Sequence, residues 1–302
     1  MKCLVTGGAG FIGSNLVDQL IEEGNEVCVV DNLSTGQQEN LNDKAQFHCF
    51  DLSNENWPLL ISSTFKQIDV VFHLAALARV QPSISRPHIY HKHNVNATLN
   101  LLMAANEAGV KRLVYSASSS AYGDTESFPT KEDEPTAPLS PYGLQKLIGE
   151  QYCTLFPKVY DLETVCLRYF NVYGERMSSE GGYPLAMAKF LKQAQANEPL
   201  TIWGDGEQRR DFTYVKDVVK ANILAATSEK VGDGEVINIG NGENRSVNEI
   251  AALISENTIN LDAVLEPRNT LADNSKAKEL LDWEPSMTVE EWIPKYKQSL
   301  GL

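Results

Sequence analysis

Short apolar runs alternate with longer amphipathic stretches from the first residues to about position 170. The runs predict six strands, at residues 2–6, 26–30, 46–50, 69–74, 112–115 and 163–167. Their near-continuous apolar content suits strands covered on both faces, as in a parallel sheet. Helices are expected between them at 11–23, 90–108 and 142–156. In the second of these, Val95, Leu99, Leu102, Met103 and Asn106 recur at helical spacing, so much of that face should be buried. From about residue 171 the pattern changes. Glycine pairs (Gly204 and Gly206, Gly232 and Gly234, Gly240 and Gly242) punctuate shorter elements. Helices are expected there at 215–226, 247–255 and 275–281, with a strand at 236–239.

The break after the first strand carries the first chemistry. Gly7-Gly8-Ala9-Gly10-Phe11-Ile12-Gly13 lies between strand and helix, and Asp31 closes the second apolar run, 18 residues after Gly13. Glycines at 7 and 10 let the backbone turn tightly and approach a pyrophosphate, and Gly13 lets the helix pack closely on the sheet. The helix N-terminus near Phe11 and Ile12 directs unpaired N–H groups at the anion. A carboxylate at position 31 accepts hydrogen bonds from an adenosine ribose and repels a 2′-phosphate, which points to NAD rather than NADP. The fold class is therefore α/β: a Rossmann doubly wound parallel sheet over residues 1–170, then a smaller C-terminal substrate-binding lobe over 171–302. Some elements of that lobe are expected to return to the first domain.

Charge and cysteine usage narrow the class. The 302-residue chain carries a net charge of −14 and no lysine- or arginine-rich stripe, which disfavours nucleic acid and anionic membrane surfaces. Its five cysteines are scattered without CxxC spacing and read as small buried hydrophobes in a reducing compartment. The first strand begins at residue 2, leaving no room for a signal peptide, and no apolar stretch reaches membrane-span length. A cytoplasmic protein is expected. With five scattered histidines, no metal site is expected.

The second constellation follows the fifth strand. Ser116-Ala117-Ser118-Ser119-Ser120 precedes Ser140-Pro141-Tyr142-Gly143-Leu144-Gln145-Lys146 by some twenty residues. Tyr142 and Lys146 are i and i+4 on a helix and project from one face. A free tyrosine, with a pKa of about 10, is a poor base at neutral pH, and a nearby ammonium favours its phenolate. Ser118, at the carboxyl end of its strand, can hydrogen-bond the same substrate hydroxyl, at the edge where open parallel sheets bind ligands. The catalytic set is Ser118, Tyr142 and Lys146.

With these motifs in place, the chain resembles the extended short-chain dehydrogenase/reductase family, within it the nucleotide-sugar epimerases and dehydratases. The resemblance spans nearly the whole length. It also rests on Asp31-Asn32-Leu33, Asp51-Leu52, His73-Leu74-Ala75-Ala76, Asn94-Val95-Asn96, Arg168-Tyr169-Phe170-Asn171-Val172-Tyr173-Gly174 and Arg210-Asp211-Phe212. It implies that Asp31, Asn32, Asp51 and Leu52 line an adenosine pocket. Ala75, Ala76 and Asn94 would face the cofactor's ribose and phosphates, and Tyr142 and Lys146 its nicotinamide end. Asn171 and Arg210 would hold a sugar nucleotide's diphosphate, with Trp203 stacked near the base. His73 is assigned no chemistry.

The resemblance further implies oxidation of the sugar at C4 with hydride transfer to NAD. Dehydratases of the dTDP-glucose kind carry Asp-Glu after the catalytic hydroxyl residue, and UDP-glucuronate decarboxylases keep a glutamate at the second position. Here both are serines, Ser119 and Ser120. What remains is similar to the C4 epimerases, which turn a 4-keto intermediate over and return the hydride to its other face. The substrates would be UDP-glucose/UDP-galactose and UDP-GlcNAc/UDP-GalNAc. The alternatives are another 4-keto-generating enzyme (decarboxylase or dehydratase) or a non-catalytic NAD-binding sensor. Residues 266–273, Glu-Pro-Arg-Asn-Thr-Leu-Ala-Asp, form a shortened version of a family segment. Arg268 would contact the nucleotide there, and Thr270 would border the sugar's C2 substituent, leaving room for an N-acetyl group. The helices at 90–108 and 142–156 correspond to those that pair between subunits in the family, so a homodimer is expected.

Overall fold

A computed structural model describes residues 1–54, 67–178 and 185–302. Its centre is a parallel sheet built from β1 (Lys2–Thr6), β2 (Glu26–Asp31), β3 (Gln46–Cys49), β4 (Val70–His73), β5 (Arg112–Ser118), β6 (Glu163–Tyr169) and, later in the chain, β11 (Asp233–Ile239). The seven strands lie in the order β11-β6-β5-β4-β1-β2-β3. Strand order reverses between β1 and β4, and the crevice above their carboxyl ends is where doubly wound sheets take ligands.

Both sheet faces are covered, which explains the unbroken apolar runs. In β1, Cys3 and Val5 face one layer with Leu16, Val17, Val218 and Trp283. Leu4 faces the other, with Leu101, Leu102, Cys153 and Phe156. The first layer contains α1 (Phe11–Glu22). The second contains α2 (Val80–Ser85), α3 (Pro87–His91), α4 (Ala97–Glu107) and α5 (Pro141–Val159). The expected helix at 90–108 is a run beginning at Pro87, with a π-helical turn over Lys92–Asn96 before α4. The helix expected at 142–156 is longer. Ser140 caps it by accepting from Gly143 N–H at 3.1 Å. Pro157 does not stop it, because the Cys153 carbonyl that loses its helical donor there accepts from the Thr164 hydroxyl instead.

The edge strand departs from the expectation of full burial. β3 is covered on neither side of Gln46 or Cys49, and the Cys49 thiol is exposed, unlike the buried Cys3, Cys28, Cys153 and Cys166.

Beyond β6 come the short β7 (Val172–Tyr173), α6 (Ala186–Gln195), β8 (Leu200–Trp203), β9 (Arg209–Asp211), β10 (Thr213–Tyr214) and α7 (Val215–Thr227). After β11 follow β12 (Asn244–Ser246), α8 (Val247–Ile254), β13 (Thr258–Leu261), α9 (Ser275–Leu281) and α10 (Val289–Leu300). α6, α8 and α10 share a separate core of Phe190, Leu191, Ile250, Ile254, Trp292 and Ile293. Ser246 with Glu249 and Thr288 with Glu291 close reciprocal caps on α8 and α10, satisfying the first N–H groups of each. α7 and α9 pack on the sheet through Val218, Ala221 and Ala277. α6, α10, β8 and β13 were not visible as elements in the sequence pattern.

Candidate active site

The glycine-rich turn closes on β4. Gly7 has φ +73°, and a Cβ there would come within 2.7 Å of the Ala75 backbone nitrogen. A Cβ at Gly13 would sit 2.1 Å from the Gly7 carbonyl oxygen, and one at Gly10 3.2 Å from it. No side chain caps α1. Its first internal bond is Ser14 N–H to Gly10 O at 3.0 Å, so the N–H groups of Phe11, Ile12 and Gly13 are the helix's unpaired donors. Asp31, only 8 % exposed, ties this turn to the next. Oδ2 accepts from Ala9 N–H at 3.1 Å and Oδ1 from Leu33 N–H at 2.8 Å, and each oxygen keeps a lone pair for a ribose hydroxyl. Asn32 is turned to Ser34 N–H at 3.0 Å. Burial works to raise the pKa of Asp51, but the Ser53 hydroxyl and N–H, with His93, outweigh it and keep the carboxylate ionised. Leu52 beside it is buried.

At the end of β4, His73 is enclosed between the hydroxyls of Thr6 (2.8 Å) and Thr98 (2.9 Å). Burial, with the nearby Lys146, pushes its pKa down to about 3, so the ring is neutral and structural. Thr6 also accepts from Ala75 N–H at 3.3 Å, holding the Ala75–Ala76 backbone beside the glycine turn. The Asn94 carboxamide is taken up by Leu77 N–H (2.8 Å), Leu77 O (3.1 Å) and Gln145 (3.1 Å), so it clamps this loop to α5. A cradle that admits no Cβ, three free helix N–H groups and an acid at the end of β2 together fit a dinucleotide.

Ser118 ends β5 with its hydroxyl 2.7 Å from that of Ser120. Tyr142 opens α5, its N–H held by the Ser83 hydroxyl of α2 at 3.1 Å. Burial raises the Tyr142 pKa, while the Ser118 hydroxyl and the charge of Arg79 work against that rise. Lys146, 5 % exposed, shares the helix face of Tyr142. Its Nζ, however, donates to Ser116 O at 2.7 Å and lies 4.9 Å from the centre of the Tyr115 ring. Burial lowers its pKa to about 8. In this arrangement the cation bearing on the Tyr142 phenol is Arg79.

β5 and β6 run in register to Ser118 opposite Tyr169, so Asn171 lies two residues past the partner of Ser118. Asn171 donates to Asp211 O and to the Thr270 hydroxyl, both at 3.2 Å. Thr270 in turn accepts from Asp211 N–H at 3.2 Å. Arg210 is not paired with Asp211, which instead accepts from the N–H groups of Asn241, Gly242 and Ala272. Its Nη2 stands 2.8 Å from Glu266 but out of line for a hydrogen bond, leaving that buried nitrogen unsatisfied along with Gln208 Oε1 beside it. Arg268, over half exposed, grips Asp205 with both Nη atoms at 2.8 and 2.9 Å. Trp203 closes β8 with the Lys189 ammonium 5.5 Å from its ring centre. Among the described residues no cluster could hold a metal ion, and no helix is long and apolar enough to cross a membrane.

The NAD dependent epimerase/dehydratase family matches residues 3–240. The chain belongs to this family. It is 38 % identical to the UDP-glucose 4-epimerase of Thermotoga maritima, solved with UDP-glucose, with a TM-score of 0.92 over 99 % of this chain and 100 % of that one. A UDP-N-acetylglucosamine 4-epimerase from Methanobrevibacter ruminantium M1, in complex with UDP-N-acetylmuramic acid, is 36 % identical, with a TM-score of 0.89 over 99 % and 98 % of the two chains. The UDP-glucuronate 4-epimerase of Thermodesulfobacterium geofontis is 36 % identical across 97 % of this chain and 94 % of its own length. The family's cofactor, NAD, agrees with the reading of the glycine turn and Asp31.

Sequence reasoning missed four residues of this family member's site: Ser83, which holds the start of α5, Arg79, and the Gln208–Glu266 pair beside Arg210. Ser83 and Arg79 carried no signal beyond following the His73-Leu74-Ala75-Ala76 motif. Glu266 is 56 residues from Arg210 in sequence, and only the fold joins them.

Proposed function

We propose that the protein interconverts UDP-glucose and UDP-galactose, and UDP-GlcNAc and UDP-GalNAc, by NAD-dependent epimerisation at C4. The observation that carries this reading is the convergence of Ser118, at the carboxyl end of β5, with Tyr142, whose phenol its hydroxyl acts on, one helical turn from Lys146 and with no carboxylate at positions 119 and 120. A dehydration or decarboxylation needs a further acid–base group beside the sugar, and two serines do not supply one.

The cradle at Gly7, Gly10 and the N-terminus of α1 would hold the pyrophosphate, and Asp31 the adenosine ribose. Bound NAD supplies a hydride acceptor. The Tyr142 oxygen takes the proton of the C4 hydroxyl as Ser118 orients that hydroxyl, and returns it when the opposite face is reduced. Lys146 would hold the nicotinamide ribose on leaving Ser116 O. Arg210 and Asn171 would bind the diphosphate, Arg268 and Trp203 the nucleoside side. Thr270, small and beside Asn171, would leave space for a 2-acetamido group.

We also propose a homodimer. Leu144, Ile148, Tyr152, Leu155 and Val159 form a stripe along α5, of which Leu144 (48 %), Leu155 (47 %) and Val159 (59 %) are exposed. A second copy presenting the same stripe would bury it in a symmetric helix bundle. Sedimentation at micromolar concentration should give about twice 33.4 kDa; a monomer alone would exclude it.

The test of function is incubation with UDP-glucose and UDP-GlcNAc. The expected result is conversion to the C4 epimers without net NADH, lost by about 10²-fold or more in Tyr142→Phe. Accumulating NADH, or a product other than the epimer, would exclude the reading.

A further inference from the structure

Arg79 immediately precedes α2, in the loop that leaves the carboxyl end of β4, and its side chain caps no helix. It is partly buried. Among the described residues every other arginine has a carboxylate partner except Arg86, which is exposed. The titratable groups facing Arg79 are the phenols of Tyr142 and Tyr90, and burial pulls its own pKa down. A guanidinium does not lose its proton to relieve such a position, and it offers a planar fork of donors suited to a carboxylate. Partly withdrawn from water and without a carboxylate partner, it is held at a cost that an anionic ligand would reduce.

The location specifies which part of a ligand could reach it. If Tyr142 works on the C4 hydroxyl, the groups nearest Arg79 are those on the carbons flanking C4. The end of β5 adds the three part-exposed serines 118, 119 and 120 and no carboxylate. We propose that Arg79 receives a carboxylate carried by the sugar on C3 or C5, so that acidic nucleotide sugars are substrates in addition to the neutral ones. This rests on the epimerase reading of the same site. The carboxylate could be C6 of a hexuronate or a lactyl group on O3.

The test measures kcat/KM for UDP-glucose, UDP-glucuronate and UDP-N-acetylmuramate in the NAD-loaded wild type, Arg79→Gln and Arg79→Lys. At least one acidic sugar should be epimerised as well as UDP-glucose or better. Its advantage over UDP-glucose should drop about 10- to 100-fold in Arg79→Gln, the range for losing a charge-assisted hydrogen bond, and be partly kept in Arg79→Lys. Preference for the uronate assigns the C5 side, and preference for the muramate the C3 side. Epimerisation of UDP-glucose with no turnover of either acid, or an unchanged ratio in Arg79→Gln, overturns the role of Arg79 and leaves the epimerase reading standing. No epimer from any sugar overturns both.

Discussion

Lys146 Nζ lies 2.7 Å from the carbonyl oxygen of Ser116, in a site where only 5 % of the residue is exposed. Burial lowers its pKa to about 8, against about 10.4 for a free lysine. Between those values the unfolded chain holds more protons than the folded one, so this group makes stability rise with pH across the window from about 8 to about 10. At pH 7 the full cost of burying the charge is present. Lys146→Met should therefore raise stability at pH 7, by up to about 3 kcal/mol, with the gain shrinking towards pH 10 while turnover is lost. Urea denaturation at the two pH values checks this; a variant less stable at pH 7 contradicts it.

Asp31 links specificity to structure. Its charge would repel a 2′-phosphate, and it also holds Ala9 and Leu33 through backbone hydrogen bonds. Asp31→Ser should narrow the gap between NAD and NADP affinity and lower the thermal midpoint of the cofactor-free protein. Titration with both cofactors decides the first point, and wild-type protein that binds the two equally would defeat the charge argument.

Glu266 competes for Arg210. Its side chain is 36 % exposed, and such a part-exposed pair is worth at most about 1 kcal/mol. Glu266→Gln should leave Arg210 free for a diphosphate and lower KM for the nucleotide sugar by up to about fivefold, with kcat little changed. A rise in KM would show instead that Glu266 helps to position the arginine.

Thr270 tests the sugar pocket. Thr270→Tyr should suppress turnover of UDP-GlcNAc far more than that of UDP-glucose, since discrimination by clash acts on the larger substrate. Its hydroxyl also receives Asn171 and Asp211 N–H, so Thr270→Ser is the control that keeps those bonds. Equal losses on both sugars in Thr270→Tyr, or a native enzyme that takes only UDP-glucose, would remove the gate from this position.

The helix carrying Tyr142 and Lys146 is also fixed at its middle, by Glu150. Arg168 on β6 meets Glu150 through two hydrogen bonds of 2.8 and 2.7 Å, with both side chains about 95 % buried. Glu150→Ala would strand the arginine charge and should cost about 3–5 kcal/mol. Replacing both residues with methionine should recover most of that loss. Denaturation of the single and double variants measures it, and a near-neutral Glu150→Ala would place the anchoring of α5 elsewhere.

Local pattern was enough for the parallel strands, the glycine turn with Asp31, and the pairing of Tyr142 with Lys146 on one helix face. Each depends on neighbours within a few residues: two-sided burial makes a strand apolar throughout, φ +73° at Gly7 demands glycine, and i, i+4 spacing needs only a helix. α6, α10, β8 and β13 were not legible, because Phe190, Ile254 and Trp292 make a core only when three separated segments meet. The partners of charged side chains were beyond local pattern too. Whether Lys146 faces Ser116 or Tyr142, whether Arg210 takes Asp211 or Glu266, and that Arg79 has no carboxylate beside it were decided when β4, β5 and β9 came to rest against distant loops. Composition names the charges in a chain, but the free energy of a buried charge depends on what stands within a few ångströms of it, and only the tertiary fold sets that distance.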